Sequence, residues 1–234
     1  MQIIYNLMGT ILRNIQYFLE NNLGTEPSSI SFYAISIIII TILLKIVTIP
    51  VGLNQSRMTA KTREIQPEIE ALKKKYKNDP QNLAVKQQQL YKEAGINPLG
   101  GCLPMIVQLL LMLGIYRVLL QPETYAFKDA AHYVAMNKEF FWLADISKPD
   151  PYMAMPIISG LTQFLQGRLM PQPAAGGDDQ QNMMTSMTTI MPIMMIFITR
   201  RFPAGALLYW IVSNIFSMCQ QLIVNALSAK KQEA

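Results

Sequence analysis

A lysine inside an otherwise apolar run is the tightest constraint on what this chain can become. Ser31 to Leu53, SFYAISIIIITILLKIVTIPVGL, reads as a membrane span, for which about 20 mostly apolar residues suffice. Lys45 interrupts it between Leu44 and Ile46, with no acidic residue in the run to pair with it. On insertion scales a lysine at a helix centre costs ~2.5–3.5 kcal/mol, so it is expected to face a protein interior or a wet cavity. Thr41, Lys45, Thr48 and Gly52 follow one another at i+4, i+3 and i+4 and share one helical face. Ile38, Ile42, Leu43, Ile46 and Ile49 lie mainly off that line. A polar seam down one side of a lipid-compatible helix is the expectation.

The remaining residues extend that pattern. Of the 234 residues, 51% are hydrophobic and only 15% charged, and the charges gather between the apolar blocks, as in a polytopic membrane protein. A net charge of +5 is too small to argue for nucleic-acid binding. Cys102 and Cys219 both fall in expected spans and are read as small buried apolar residues, not as a disulfide. The single His132, in a loop far from either cysteine, argues against a metal site.

In chain order, the pattern predicts an all-α protein with five transmembrane helices, an outer amphipathic helix and a cytoplasmic helical hairpin. Residues 1–30 hold the amphipathic helix and a loop. Ile4, Leu7, Met8, Ile11, Ile15, Phe18 and Leu19 recur at helical spacing, which suits a helix lying in the membrane interface or one packed onto the spans. The segment lacks the basic start, continuous apolar core and cleavage site of a signal peptide. Span one covers 31–53. Residues 54–97 form the hairpin, with a thin seam through Met58, Ile65, Ile69, Leu72 and Tyr76, continued by Leu83, Leu90 and Ala94. Asp79 and Pro80 start its second arm, and so thin a seam predicts mobility. Its lysines and arginines outnumber its acids, which puts it in the cytoplasm and the N-terminus outside.

Span two covers 98–121, followed by an extracytoplasmic loop, 122–151, in which Phe140, Phe141 and Trp142 suit an interfacial aromatic belt. Span three (152–169), an inner loop (170–182), span four (183–199), an outer turn (200–203), span five (204–228) and a cytoplasmic tail (229–234) complete the chain. Arg200 and Arg201 oppose the positive-inside bias but are outweighed by the hairpin.

Mild polar stripes mark the later spans too: Gln108 in span two, Gln163 and Gln166 in span three, Thr188 in span four, and Ser213, Asn214, Ser217 and Gln220 in span five. Each residue alone is explained by a hydrogen bond between helices, worth ~0.6 kcal/mol on average. Together with Lys45, Thr41 and Thr48, and weighted toward the inner half, they point to a shared hydrophilic groove open to the cytosol. A transporter or channel with a midplane cation site is the alternative, although no internal repeat or pair of broken helices is evident. An enzyme is not expected, because no Asp, Glu or His lies within the spans.

Four stretches, TILLKIVTIPVGLNQSRMTAKTREIQPEI, YKEAGINPLGGCLPMIVQ, FFWLADISKPDPYMAMPIISGLTQF and FPAGALLYWIVSNIFSMCQQ, taken in this order resemble the YidC/Oxa/Alb family of membrane protein insertases, in its compact five-span bacterial form. The resemblance implies a protein of the bacterial plasma membrane that moves hydrophobic segments of nascent membrane proteins from cytosol into the lipid bilayer, alone or beside the general secretion channel. It implies no cofactor and no small-molecule substrate. It also implies that spans two and four offer a sliding surface, here rich in adaptable methionines: Met105, Met112, Met187, Met191, Met194 and Met195. Two departures stand out. Lys45 occupies the place of the family's usual groove arginine, and only Ala229 to Ala234 stand where some members carry a long basic tail for the ribosome.

Overall fold

The structure, a computed structural model, describes residues 1–96, 103–127, 129–169 and 190–232. The chain is mostly helical, and its described residues contain no β-strand, only isolated bridges such as Ile30 with Phe140. Helix α1 spans Gln2–Leu23, α2 Phe32–Glu64, α3 Gln66–Lys75, α4 Pro80–Glu93 and α5 Leu103–Leu120. Two short helices follow, α6 (Pro122–Tyr125) and α7 (Ala130–Ala135), and then α8 (Ala154–Leu169), α9 (Ile190–Thr199) and α10 (Ala204–Gln232). Among the described residues, α2 and α10 are long and apolar enough to cross a membrane, and α5 and α9 add shorter apolar stretches.

Helix α2 starts where its first backbone donors find partners. Ser31 Oγ accepts from Ala34 N at 3.2 Å, an N-cap, and Glu26 Oε1 accepts from Phe32 N at 2.9 Å. The helix then runs unbroken past Leu53 to Glu64, so the first span and the first part of the expected hairpin are one helix with Pro50 inside it. Ile42, Leu43, Ile46 and Val47 remain exposed on its lipid-compatible side.

The hairpin itself is α3 packed on α4. Ile69 is its fully buried apolar side chain, and Gln87 fills the place on α4 where the seam lacks an apolar residue. Asp79 caps α4: its carboxylate accepts from Asn82 N at 3.1 Å and Asn82 Nδ2 at 2.6 Å, which holds its carboxyl below the usual carboxylate range.

The 129–153 segment is more ordered than a loop of polar residues suggests, because it satisfies the N-termini of three helices. Ser31 N donates to Glu139 O, Phe141 N to Ser29 O, Ala204 N to Lys148 O and Gly205 N to Ile146 O. Asp150, almost fully buried, accepts from Tyr152 N and Met155 N at the start of α8. Of the expected aromatic belt, Phe141 and Trp142 are exposed, but Phe140 is buried in the core through its pairing with Ile30 and Leu143. Cys219, expected to be buried, is exposed on α10; Cys102 lies outside the described residues.

Helix α1 packs against the ends of α2 and α5 nearest this loop. Gln16 accepts from Ser36 Oγ at 3.0 Å, Met8 sits on Gly114, and Gly9 lies against the backbone of Tyr125. The apolar core occupies that same loop end: Met8 and Leu12 of α1, Tyr33, Ile37 and Ile40 of α2, Ile115 and Val118 of α5, Phe127, Ile146 and Met155, and Leu207, Leu208, Tyr209 and Ile211 of α10. Toward the hairpin end the character changes. Beyond Ile211, the buried side chains of α10 among the described residues are Ser213, Asn214 and Gln221, all polar.

Candidate functional site

Three helices bring polar groups to one depth below the apolar core. At about 1.5 Å per residue, Lys45 lies ~20 Å from the start of α2, Gln108 ~18 Å from the end of α5 and Ser217 ~20 Å from the start of α10. Because all three helix ends are tied at the loop end, these residues meet. Lys45 Nζ donates to Gln108 Oε1 and to Ser217 Oγ, each at 2.9 Å. Gln108 Nε2 in turn donates to Ser213 Oγ at 3.1 Å and faces Tyr209 OH at 3.4 Å. Neutral acceptors satisfy part of the ammonium without cancelling its charge, and among the described residues no carboxylate pairs with it.

The threonines beside Lys45 play a narrower part than their spacing suggests. Thr41, fully buried, donates to Ile37 O at 2.5 Å, and Thr48 donates back to Leu44 O and Lys45 O. Both hydroxyls are thus turned onto their own helix, the usual behaviour of Thr in a span. Toward the hairpin end, Gln220 reaches α2 at Gly52, whose missing side chain leaves room for the amide, and makes a long contact of 3.5 Å with Ile49 O. Ser56 Oγ donates to Gln221 Oε1 at 3.1 Å nearby.

A second polar cluster lies between α8 and α10. Trp210 Nε1 donates to Gln163 Oε1 at 2.9 Å. With its amide oriented to satisfy its neighbours, Asn214 donates to Gln166 Oε1 at 2.7 Å and accepts from Thr162 Oγ1 at 3.1 Å. Asn214 and Thr162 are buried, so this cluster binds α8 to α10. The single stripe read along span five is therefore divided among neighbours: Ser217 meets Lys45 of α2, Ser213 meets Gln108 of α5, Asn214 faces α8, and Gln220 meets the hairpin half of α2.

Of the expected sliding surface, Met191 and Met194 are exposed on α9, Met195 is half-buried, and Met112 is half-buried against the core. The Met105 side chain, Met187 and Thr188 lie outside the described residues. Sequence reasoning missed Tyr209 as a member of the cluster. Its place four residues before Ser213 and eight before Ser217 was the available signal, since i, i+4 and i+8 share a face.

Comparison with known proteins places the chain among relatives. The 60Kd inner membrane protein family matches residues 26–232. The membrane protein insertase YidC of Fusobacterium nucleatum is 36% identical over 224 residues, covering 96% of this chain and 98% of that protein. YidC of Francisella tularensis subsp. novicida is 36% identical over 197 residues, 84% of this chain but 33% of that longer protein. A crystal structure of active YidC insertase with its first transmembrane domain resolved superposes with a TM-score of 0.62 at 21% identity, over 93% of this chain and 45% of that one.

Proposed function

We propose a mode of action from one premise: this chain belongs to the 60Kd inner membrane protein, or YidC/Oxa/Alb, family and is a membrane protein insertase of the bacterial inner membrane, not an enzyme. It acts on nascent membrane proteins in the lipid bilayer. In the proposed arrangement five spans are built on α2, α5, α8, α9 and α10. The loop end lies outside and the hairpin and C-terminus lie in the cytoplasm. Helix α1 rests in the outer interface, in keeping with its contacts to Ser36, Gly114 and Tyr125 near the loop end and with its exposed Ile3, Leu7 and Phe18.

The change from apolar to polar burial beyond Ile211, at the depth of Lys45, carries the proposal. In a hydrocarbon core ~30 Å thick, Lys45 stands about 10 Å from the cytoplasmic boundary. The polar half holds water there, so a substrate's polar tail enters without crossing the full barrier. Lys45 attracts acidic residues in that tail, while the apolar segment slides against α5 and α9 into lipid. Exposed Met191 and Met194 adapt to varied segments. A channel reading is not favoured, because among the described residues the loop end is filled by the packed core. The secretion channel and the ribosome are proposed partners through the family alone.

Proteoliposomes containing only this protein should insert a small single-span substrate; failure to exceed empty liposomes would count against an autonomous insertase. Orientation has its own test. With Cys102 and Cys219 replaced, Ala135→Cys should react with an impermeant reagent in intact cells and Gln81→Cys only after lysis. Reaction of both in intact cells overturns the proposed topology.

The hairpin is proposed as a capture element. Replacing Gln66–Glu93 by a short linker should leave a protease-resistant membrane core but slow insertion severalfold. Loss of the folded core would make the hairpin structural instead.

A further inference from the structure

We infer that Gln108 is a positioning residue that leaves Lys45 one free donor, so that the groove engages one substrate carboxylate at a time. The inference rests on the proposed attraction of acidic tails to Lys45 and adds what fixes the cation and how many partners it takes.

A lysine ammonium is a compact charge on a flexible four-carbon stem with three rotatable donors. Left alone near a boundary, such a chain stretches toward the headgroups. Here two donors are held from two different helices, by Gln108 Oε1 of α5 and Ser217 Oγ of α10, each at 2.9 Å. The Gln108 amide is itself fixed in the orientation this requires. Its nitrogen is engaged by Ser213 Oγ at 3.1 Å and set against the hydroxyl of Tyr209, a side chain only 1% exposed. Turning the amide over would set its oxygen against those hydroxyls and its nitrogen against an ammonium, two donors facing one another. One amide therefore links α2, α5 and α10 and keeps the charge at groove depth. Among the described residues, the third donor has no partner. Because Gln108 and Ser217 are neutral, neither partner cancels the charge of the held ammonium.

The test is a ratio of initial insertion rates in proteoliposomes for substrates that differ only in the tail: neutral, one Asp, or two Asp. For the unmodified protein, one Asp should speed insertion about tenfold over the neutral tail, the scale of one hydrogen bond to a charged group. A second Asp should add less than twofold. Gln108→Glu gives the ammonium an internal carboxylate, and the acidic-to-neutral ratio should fall to about one. Gln108→Met, of similar volume but without an acceptor, should lower the ratio severalfold. Ser217→Asp supplies the same carboxylate from α10 and should act as Gln108→Glu does, which keeps the idea testable should a Gln108 variant fail to fold.

A purely structural Gln108 would slow both tails alike and leave the ratio intact, and that result overturns the positioning role. Equal gains from the first and second Asp overturn the single-donor reading. A ratio near one for the unmodified protein sinks the attraction of acidic tails itself, separately from anything about Gln108.

Discussion

Lys45→Glu should cut insertion of acidic-tailed substrates by about a hundredfold or more, with Lys45→Arg retaining insertion and Lys45→Ala falling between them. At an effective dielectric constant of ~20, unit charges ~4 Å apart interact by about 4 kcal/mol, and reversal of sign turns that attraction into repulsion. Even half of that survives as a large rate effect, since each ~1.4 kcal/mol is tenfold. The substituted carboxylate would also face an acceptor, Gln108 Oε1, where the ammonium now donates, while Ser217 can turn its hydroxyl to donate. To receive it, the Gln108 amide must turn, which reverses the direction of its hydrogen bond with Ser213. Lys45→Ala removes the field but leaves the other polar side chains to hold water. Lys45→Arg keeps a cation within reach of the same acceptors. The measurement pairs each variant with substrates whose tails are acidic or neutralised. Equal activity of Lys45→Glu and the unmodified protein on the acidic tail would exclude the electrostatic role and leave a lysine that merely reaches the headgroups.

Gly9→Leu should be the most damaging substitution on α1. A side chain at this position would overlap the carbonyl of Tyr125, and that backbone cannot yield. It is the last turn of α6, held by bonds from Tyr125 N to Gln121 O, and from Ala126 N and Phe127 N to Pro122 O. Helix α1 must therefore lift, and with it Met8, Leu12 and the Gln16–Ser36 hydrogen bond leave their sites. Overpacking of this kind costs ~1–3 kcal/mol, and at ~2–4 °C per kcal/mol the thermal midpoint in detergent should fall by roughly 2–12 °C. Trypsin cleavage after Arg13 should accelerate in parallel. Gly9→Ala should have the same sign with a smaller effect. An unchanged midpoint for Gly9→Leu would mean that α1 does not pack here in the folded protein.

Much of this architecture is legible in the sequence where one residue type has few physical options. A lysine inside an isoleucine-rich run must be accommodated, and the spacing of Thr41, Lys45 and Thr48 indicates the side on which that happens. Asp79 before Pro80 marks a helix start for the same reason: an acceptor is followed by a residue that needs no donor partner. The division of polar residues around α10 is less legible. Spacing fixes the angle of Ser213, Asn214 and Ser217 about their own axis, but not which neighbouring helix stands at each angle. Phe140 illustrates the same limit in the loop. An aromatic beside Phe141 and Trp142 reads as interfacial, and only its pairing with Ile30 and Leu143, distant or local, turns it inward. Tyr209 hides its role because the ring fits an apolar wall while only the hydroxyl joins the cluster.

The continuity of α2 has a mechanical consequence. No slack linker separates the groove from the hairpin, since one helix carries both Lys45 and Glu64. Pro50 removes one rung of its hydrogen-bond ladder, which makes that level the softest place to bend. From Pro50 to Glu64 the helix extends ~21 Å, so a tilt of about 10° there swings its far end by roughly 4 Å. The same tilt strains the contacts of Gly52 with Gln220 and of Ser56 with Gln221. The hairpin is thus like the needle of a gauge pivoted about one and a half turns from Lys45: a small tilt beside the polar cluster is enlarged at the hairpin's far end, and a load on that end reaches the cluster with the corresponding leverage.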